Sequence, residues 1–305
     1  MVAVNAFLNQ VQRGKNEWWR YFLGILLILS MWQIVGVLPT IILLVWVMVS
    51  GNFHGSLNTG TLAEVGPTLS FVVLMLASVF FIVGIYLAVR YVHRRPFLSL
   101  ITPARTIAWG RLFQGFGLWL ALAGLTSGVE AWLYPGRYAW TFDPARFVPF
   151  VFLALVLIPI QASAEELFFR GYLLQGIGLQ VRNMWTLSAI SGFLFMFPHL
   201  LNPEAATNYS LMALYYFSMG AFLAYLTLRD GRLELALGIH AANNLFSALV
   251  ANYPNSAMPT PSLFAVNVLD AVYSVPVALA AMAIFVLVFV RSMGARVETE
   301  RIERE

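Results

Sequence analysis

Two adjacent glutamates, Glu165 and Glu166, stand in the apolar run VPFVFLALVLIPIQASAEELFFRGYLLQG, with Arg170 one helical turn beyond Glu166. At membrane depth an ionised carboxylate is costly and is rarely kept without a use. On a helix Glu166 and Arg170 are four apart and can pair, whereas Glu165 points about 100° away toward a different neighbour. The two carboxylates then meet different environments, which is how sites obtain a general acid or base beside a fixed charge. Two of the four histidines, His199 and His240, also fall in apolar segments. Phe195 precedes His199 by one turn. Asn243 and Asn244 follow His240, with Asn244 on its face. An imidazole beside an amide is a donor pair suited to a developing oxyanion.

Each cluster alone has a structural reading of at least equal weight: an arginine-clamped packing pair, a satisfied histidine at a helix end, hydrogen bonds between membrane helices. Together they point to buried acid–base chemistry, because three helices each supply a polar cluster at compatible depth. The remaining spans carry few such groups. Gln33 is a single amide, Glu130 lies near an interface, and Asp270 is expected about 12 Å into its helix as a packing or snorkelling residue, or lining a cavity.

The elements that must position these groups follow from composition. Of 305 residues 60% are apolar and 10% charged, against about 25% charged in a soluble domain. Such a chain is expected to be all-α and polytopic, a single integral membrane domain over residues 1–305. The absence of cysteine removes disulfides, thiolate nucleophiles and thiolate-bound metals. Eight segments are apolar enough to span: 21–49, 67–91, 111–133, 147–175, 185–202, 208–228, 233–251 and 263–290, with a catalytic core over 147–251. GNFHGSLNTG, YPGRYAWTFDPARF and YPNSAMPTPS between them read as loops, and RDGR places a glycine at a helix end. Residues 1–20 form a short interfacial helix with Phe7, Leu8 and Val11 on one face, or a frayed cytoplasmic tail. Residues 292–305 read as a solvated tail.

Arginine and lysine orient the layout. Fifteen of the eighteen fall on the side of the termini, Arg137 and Arg146 on the other, and Arg170 within a helix. That asymmetry predicts cytoplasmic termini. Trp18, Trp19, Trp46, Trp109, Trp132, Trp140 and Trp185 lie near the expected interfaces. The fourth segment would run about 43 Å as a helix, against a hydrocarbon core of about 30 Å, so tilt, a kink at Pro159 or a dipping cytoplasmic end is required. No cation cluster here speaks for nucleic acid.

Glu165-Glu166-x-x-x-Arg170, Phe195-x-x-x-His199 and His240-x-x-x-Asn244, in this order, resemble the three-motif signature of the CAAX-protease and bacteriocin-processing (CPBP, or Abi) family of intramembrane proteases. The match covers about 80 residues, and RRPFLSL with IAWGRLFQG resembles the approach to the third helix in bacterial members. The resemblance implies an eight-helix fold around a cavity and a glutamate-dependent endopeptidase of the bacterial inner membrane. It implies that Glu165 and His199 activate a water, that His240 and Asn244 stabilise the oxyanion, and that Glu166 and Arg170 support the site, the arginine orienting a carboxylate or the substrate terminus. The partner would be a membrane-associated peptide or protein, lipidated or not, and no cofactor is required.

Other readings are a zinc-dependent protease using the two His and two Glu, a catalytically inactive membrane scaffold, or a proton-coupled transporter. Against zinc, no H-E-x-x-H occurs; against a serine protease, Ser163 lacks a motif histidine and no G-x-S-x-G occurs. A transporter would favour repeated halves, and none is visible.

Overall fold

A computed structural model describes the backbone of residues 2–50, 67–253, 256–258 and 260–302. The expected GNFHGSLNTG loop and part of YPNSAMPTPS lie outside the described residues. The fold is almost wholly helical: α1 (Val2–Leu8), α2 (Trp18–Ser30), α3 (Leu38–Val49), α4 (Pro67–Leu87), α5 (Trp109–Leu133), α6 (Pro144–Glu166), α7 (Leu174–Ile177), α8 (Met184–His199), α9 (Tyr209–Asp230), α10 (Glu234–Leu249) and α11 (Ala271–Ile302). A π-helical segment over Met31–Val35 links α2 toward α3, and another over Leu167–Leu173 joins α6 to α7.

Among the described residues six helices are long and apolar enough to cross a membrane. The expected fifth and seventh segments form α8 and α10, each 16 residues, or about 24 Å. These two short helices carry the histidines. The fourth segment runs as helix from Pro144 to Ile177. It passes Pro159 as α-helix and changes to π-helix directly after Glu166. Such π segments recur at functional sites because they rotate the side chains that follow.

Helix ends carry their own signals. The side chains of Asp143, Asn183 and Asn208 accept N–H bonds from Ala145, Thr186 and Leu211 at 3.0, 3.0 and 3.1 Å, the usual chemistry of N-caps. Gly231 ends α9 with φ 74°, the left-handed turn that glycine favours. Asp270 proves to be a cap rather than a residue within a helix: its Oδ1 accepts from Val272 N–H at 3.1 Å, and α11 starts at Ala271. The apolar residues before it form strand β3 (Phe264–Val266), which pairs antiparallel with β1 (Tyr138–Trp140) and parallel with β2 (Ala251–Asn252). The expected loops on that face are thus knitted into a small sheet. Arg137 bridges Glu130 at 2.7 Å and Asp270 at 3.1 Å beside it.

The expected interfacial tryptophans are all exposed, from 39% at Trp19 to 80% at Trp18, as lipid-facing anchors require. Phe7, Leu8 and Val11 are fully buried. The N-terminal segment is therefore packed into the protein rather than frayed. Its Lys15 N–H donates to His93 O at 2.8 Å, and Lys15 O lies 2.9 Å from His93 Nδ1. A carbonyl only accepts, so Nδ1 carries the proton and Nε2 receives the Tyr172 hydroxyl at 2.8 Å. Burial pushes the His93 imidazole down from 6.5 to about 4.

Two helix crossings near the site depend on glycine. A Cβ on Gly238 would lie 2.0 Å from Leu112 O, and one on Gly115 2.4 Å from Leu235 O, where α10 meets α5. A Cβ on Gly220 would lie 2.9 Å from Gly192 Cα, where α9 meets α8. A Cβ on Gly117 or Gly124, by contrast, would meet nothing within 4 Å.

These contacts set two expectations. Alanine is favoured over glycine in a helix by about 1 kcal/mol. Gly117→Ala should therefore keep or raise the melting temperature in detergent, while Gly238→Ala should lower it because the crossing must open. Equal shifts for both would contradict the close-packed interface. For His93, the unfolded chain binds the proton more tightly, so its contribution is complete above pH 6.5 and is lost as pH falls toward 4. Stability measured across that window should fall less steeply in His93→Gln than in the parent chain.

Candidate active site

The site is built where α6, α8 and α10 face one another. Glu166 and Arg170 are both fully buried and pair at 2.6 Å through Glu166 Oε1 and Arg170 NH1. Arg170 NH2 donates to Gly220 O at 3.1 Å. The glycine is what lets α9 bring that carbonyl close. The same Glu166 Oε1 lies 2.7 Å from His240 Nδ1, so Glu166 has a second task that on-helix spacing does not reveal. A carboxylate accepts, hence His240 carries a proton on Nδ1 and turns Nε2 toward Glu165.

His199 is fixed by a different device. It closes α8, and its Nδ1 lies 2.6 Å from the carbonyl of Phe195. Its Nδ1 therefore donates to that carbonyl, and Nε2 is directed at Glu165. The Phe195 ring stacks on the imidazole with centroids 4.0 Å apart, and Arg170 lies over that ring at 4.5 Å. Spacing of four in Phe195-x-x-x-His199 thus supplies both a carbonyl acceptor and a ring support.

Glu165 Oε2 lies 3.6 Å from His199 Nε2 and 3.6 Å from His240 Nε2. Among the described residues no donor bonds this oxygen. Its other oxygen accepts from Gln161 Nε2. Gln161 Oε1 in turn accepts from Asn244 Nδ2 at 2.9 Å, Asn244 Oδ1 from Asn243 Nδ2 at 3.1 Å, and Asn243 Oδ1 from the Trp119 indole N–H at 3.2 Å. One N–H of the Asn244 amide is left to donate elsewhere. The six residues singled out by their spacing therefore occupy one site, with Glu165 at its centre.

Glu165, His199, His240 and Asn244 line a cavity of about 240 Å³ that also touches Gln161, Asn202 and Glu204. Arg170 is fully buried and lines no part of it; its guanidinium meets Glu166 rather than the cavity. Glu204 was not evident from the sequence, where it follows a proline in a connection. It is buried and accepts from Tyr216 O–H at 3.1 Å and Ala257 N–H at 2.9 Å, tying the connection after α8 to the one after α10. Gln161 was also missed, although it stands one helical turn before Glu165 in the same apolar run. Among the described residues no group of three or more His, Cys, Asp or Glu has the arrangement of a metal site.

Residues 144–246, from the start of α6 to most of α10, match the family described as type II CAAX prenyl endopeptidase Rce1-like. A Bacillus subtilis (strain 168) protein, "Uncharacterized protein YyaK", is 34% identical over 266 residues, 87% of this chain and 88% of that protein. The chain belongs to the Rce1-like CAAX protease family. No solved structure matches it. Family and apolar helices together make it an integral membrane protein.

The two glutamates differ in what their loss should do to the fold. Removing one partner of a buried ion pair costs roughly 3–5 kcal/mol. Glu166→Ala should therefore unfold far more readily in detergent than Glu165→Ala, whose Oε2 has no protein donor to lose. Equal destabilisation by the two changes would contradict the division of roles.

Proposed function

We propose that this Rce1-like protein is an intramembrane endopeptidase in which Glu165 and His199 together activate a water. The observation that carries the reading is the convergence of two imidazole Nε2 atoms on one Glu165 oxygen, each at 3.6 Å. His199 has its proton on Nδ1 and offers a lone pair beside a carboxylate. A water between them can donate to both, which is what makes it nucleophilic. Asn244 has an amide N–H to spare, and His240, in the doubly protonated form with Nδ1–H on Glu166, would present Nε2–H; these two would receive the oxyanion. The water's proton passes to Glu165 or His199 and from there to the leaving amine, so the site returns to its starting protonation. Among the described residues no arginine or lysine lines the cavity. A free terminal carboxylate would find no cationic partner there, which favours cleavage within a chain over removal of a terminal residue.

The substrate is a membrane-associated peptide or protein, and whether it is lipidated is decided by isolating it. Trapping on Glu165→Gln protein in its own membranes, followed by mass spectrometry, supplies the peptide. Reconstituted parent protein should cleave it. Glu165→Gln and His199→Ala should each lose a factor of roughly 10²–10⁴ in kcat with the melting temperature little changed, and chelators should leave the rate intact. Undiminished cleavage by either variant removes the water-activating pair. A stoichiometric metal whose removal stops cleavage replaces it with the zinc reading.

A further inference from the structure

The cavity is asymmetric along the membrane normal. From Glu165 and His240 its lining passes outward to Asn202 and Glu204, in the connection after α8, and to Tyr253 and Ser256, in the connection after α10. Among the described residues none from the opposite connections, 92–108, 178–183 and 231–233, takes part in the lining. That side is closed. Arg170, Glu166 and Tyr172 are fully buried beneath the site. Residues 97–108 fold under them: a Cβ on Gly171 would already lie 3.1 Å from Leu100. Leu233 N–H donates to Ile101 O at 2.8 Å, and Glu234 accepts from Ala108 N–H at 3.0 Å.

Charge tells which side is which. The closed face has Arg13, Arg90, Arg94, Arg105, Arg182 and Arg229 among its basic residues, while the connections on the open face have only Arg137 and Arg146. Arg137 is moreover engaged by Glu130 and Asp270. Basic residues are retained on the cytoplasmic side.

We infer that the catalytic cavity opens to the extracytoplasmic face, so that its substrate is a polypeptide segment already exposed there, on an exported or membrane-anchored chain. The inference rests on the protease reading for the word substrate, but the direction of opening stands apart from it. A peptide arriving from the cytoplasm would have to cross the Leu100–Ile101 layer and the buried Glu166–Arg170 pair. One arriving from the other face meets the two connections themselves, with Asn202, Glu204, Tyr253 and Ser256 in the lining.

The natural absence of cysteine makes the test direct. Single-cysteine proteins Ser256→Cys at the mouth, Ser247→Cys in the cavity wall and Arg229→Cys on the closed face are labelled with a membrane-impermeant maleimide. In intact cells Ser256→Cys and Ser247→Cys should react, and Arg229→Cys only after permeabilisation. Reaction of Arg229→Cys in intact cells overturns the orientation. Reaction of Ser247→Cys solely from the cytoplasmic side, or from neither side in folded protein, overturns the opening. Labelling is read without any cleavage assay, so a protein that labels as expected and cuts nothing would refute the protease reading and leave the direction of opening intact.

Discussion

A guanidinium with no water around it must be neutralised where it stands, and this constraint organises the centre of the molecule. Arg170 is fully buried at membrane depth, and Glu166, equally buried, is its counter-charge. Desolvating such a pair is expensive unless its remaining valences are filled. The parts of the site fill some of them: the Gly220 carbonyl takes one arginine nitrogen, the Phe195 ring takes the guanidinium face, and His240 shares one glutamate oxygen, while Arg170 Nε and Glu166 Oε2 have no hydrogen-bond partner among the described residues. The ion pair thereby fixes one histidine directly and supports the other through the Phe195 ring. Glu165 stays outside this knot, with one oxygen turned to both imidazoles.

The surrounding fold serves that arrangement by allowing close approach. Glycines at the α5–α10 and α8–α9 crossings bring backbones to distances a Cβ would forbid, and such small-residue contacts are how membrane helices associate without a hydrophobic drive between them. The change from α to π geometry directly after Glu166 places the arginine turn on a different pitch from the turn that carries Gln161 and Glu165. Short helices α8 and α10 end their runs near the cavity, so connections with polar groups, Asn202, Glu204 and Ser256, come within reach of it.

Much of this was legible in the residues themselves. Charged and imidazole side chains in apolar runs are so costly that Glu165, Glu166, Arg170, His199, His240 and Asn244 stand out, and helical spacing pairs Glu166 with Arg170. What spacing cannot express is a partner on another helix, so the bond from His240 to Glu166 was invisible and Glu166 read as tethered by the arginine alone. Gln161 was hidden because a single amide in an apolar run has many uses. Asp270 was misplaced because hydropathy counts Phe264–Val266 toward a helix, although those residues pair as a strand. The same counting drew 185–202 and 233–251 slightly longer than α8 and α10, which are 16 residues each.

The central claim is that Glu165 acts on water rather than on the peptide itself. A single turnover in H₂¹⁸O, with excess protein over its trapped peptide, tests it most directly. The account predicts one ¹⁸O in the new carboxylate of the product and none in the Glu165 side chain. Label in the Glu165 carboxylate would show that it had formed a covalent acyl intermediate, and would contradict the water-activating role.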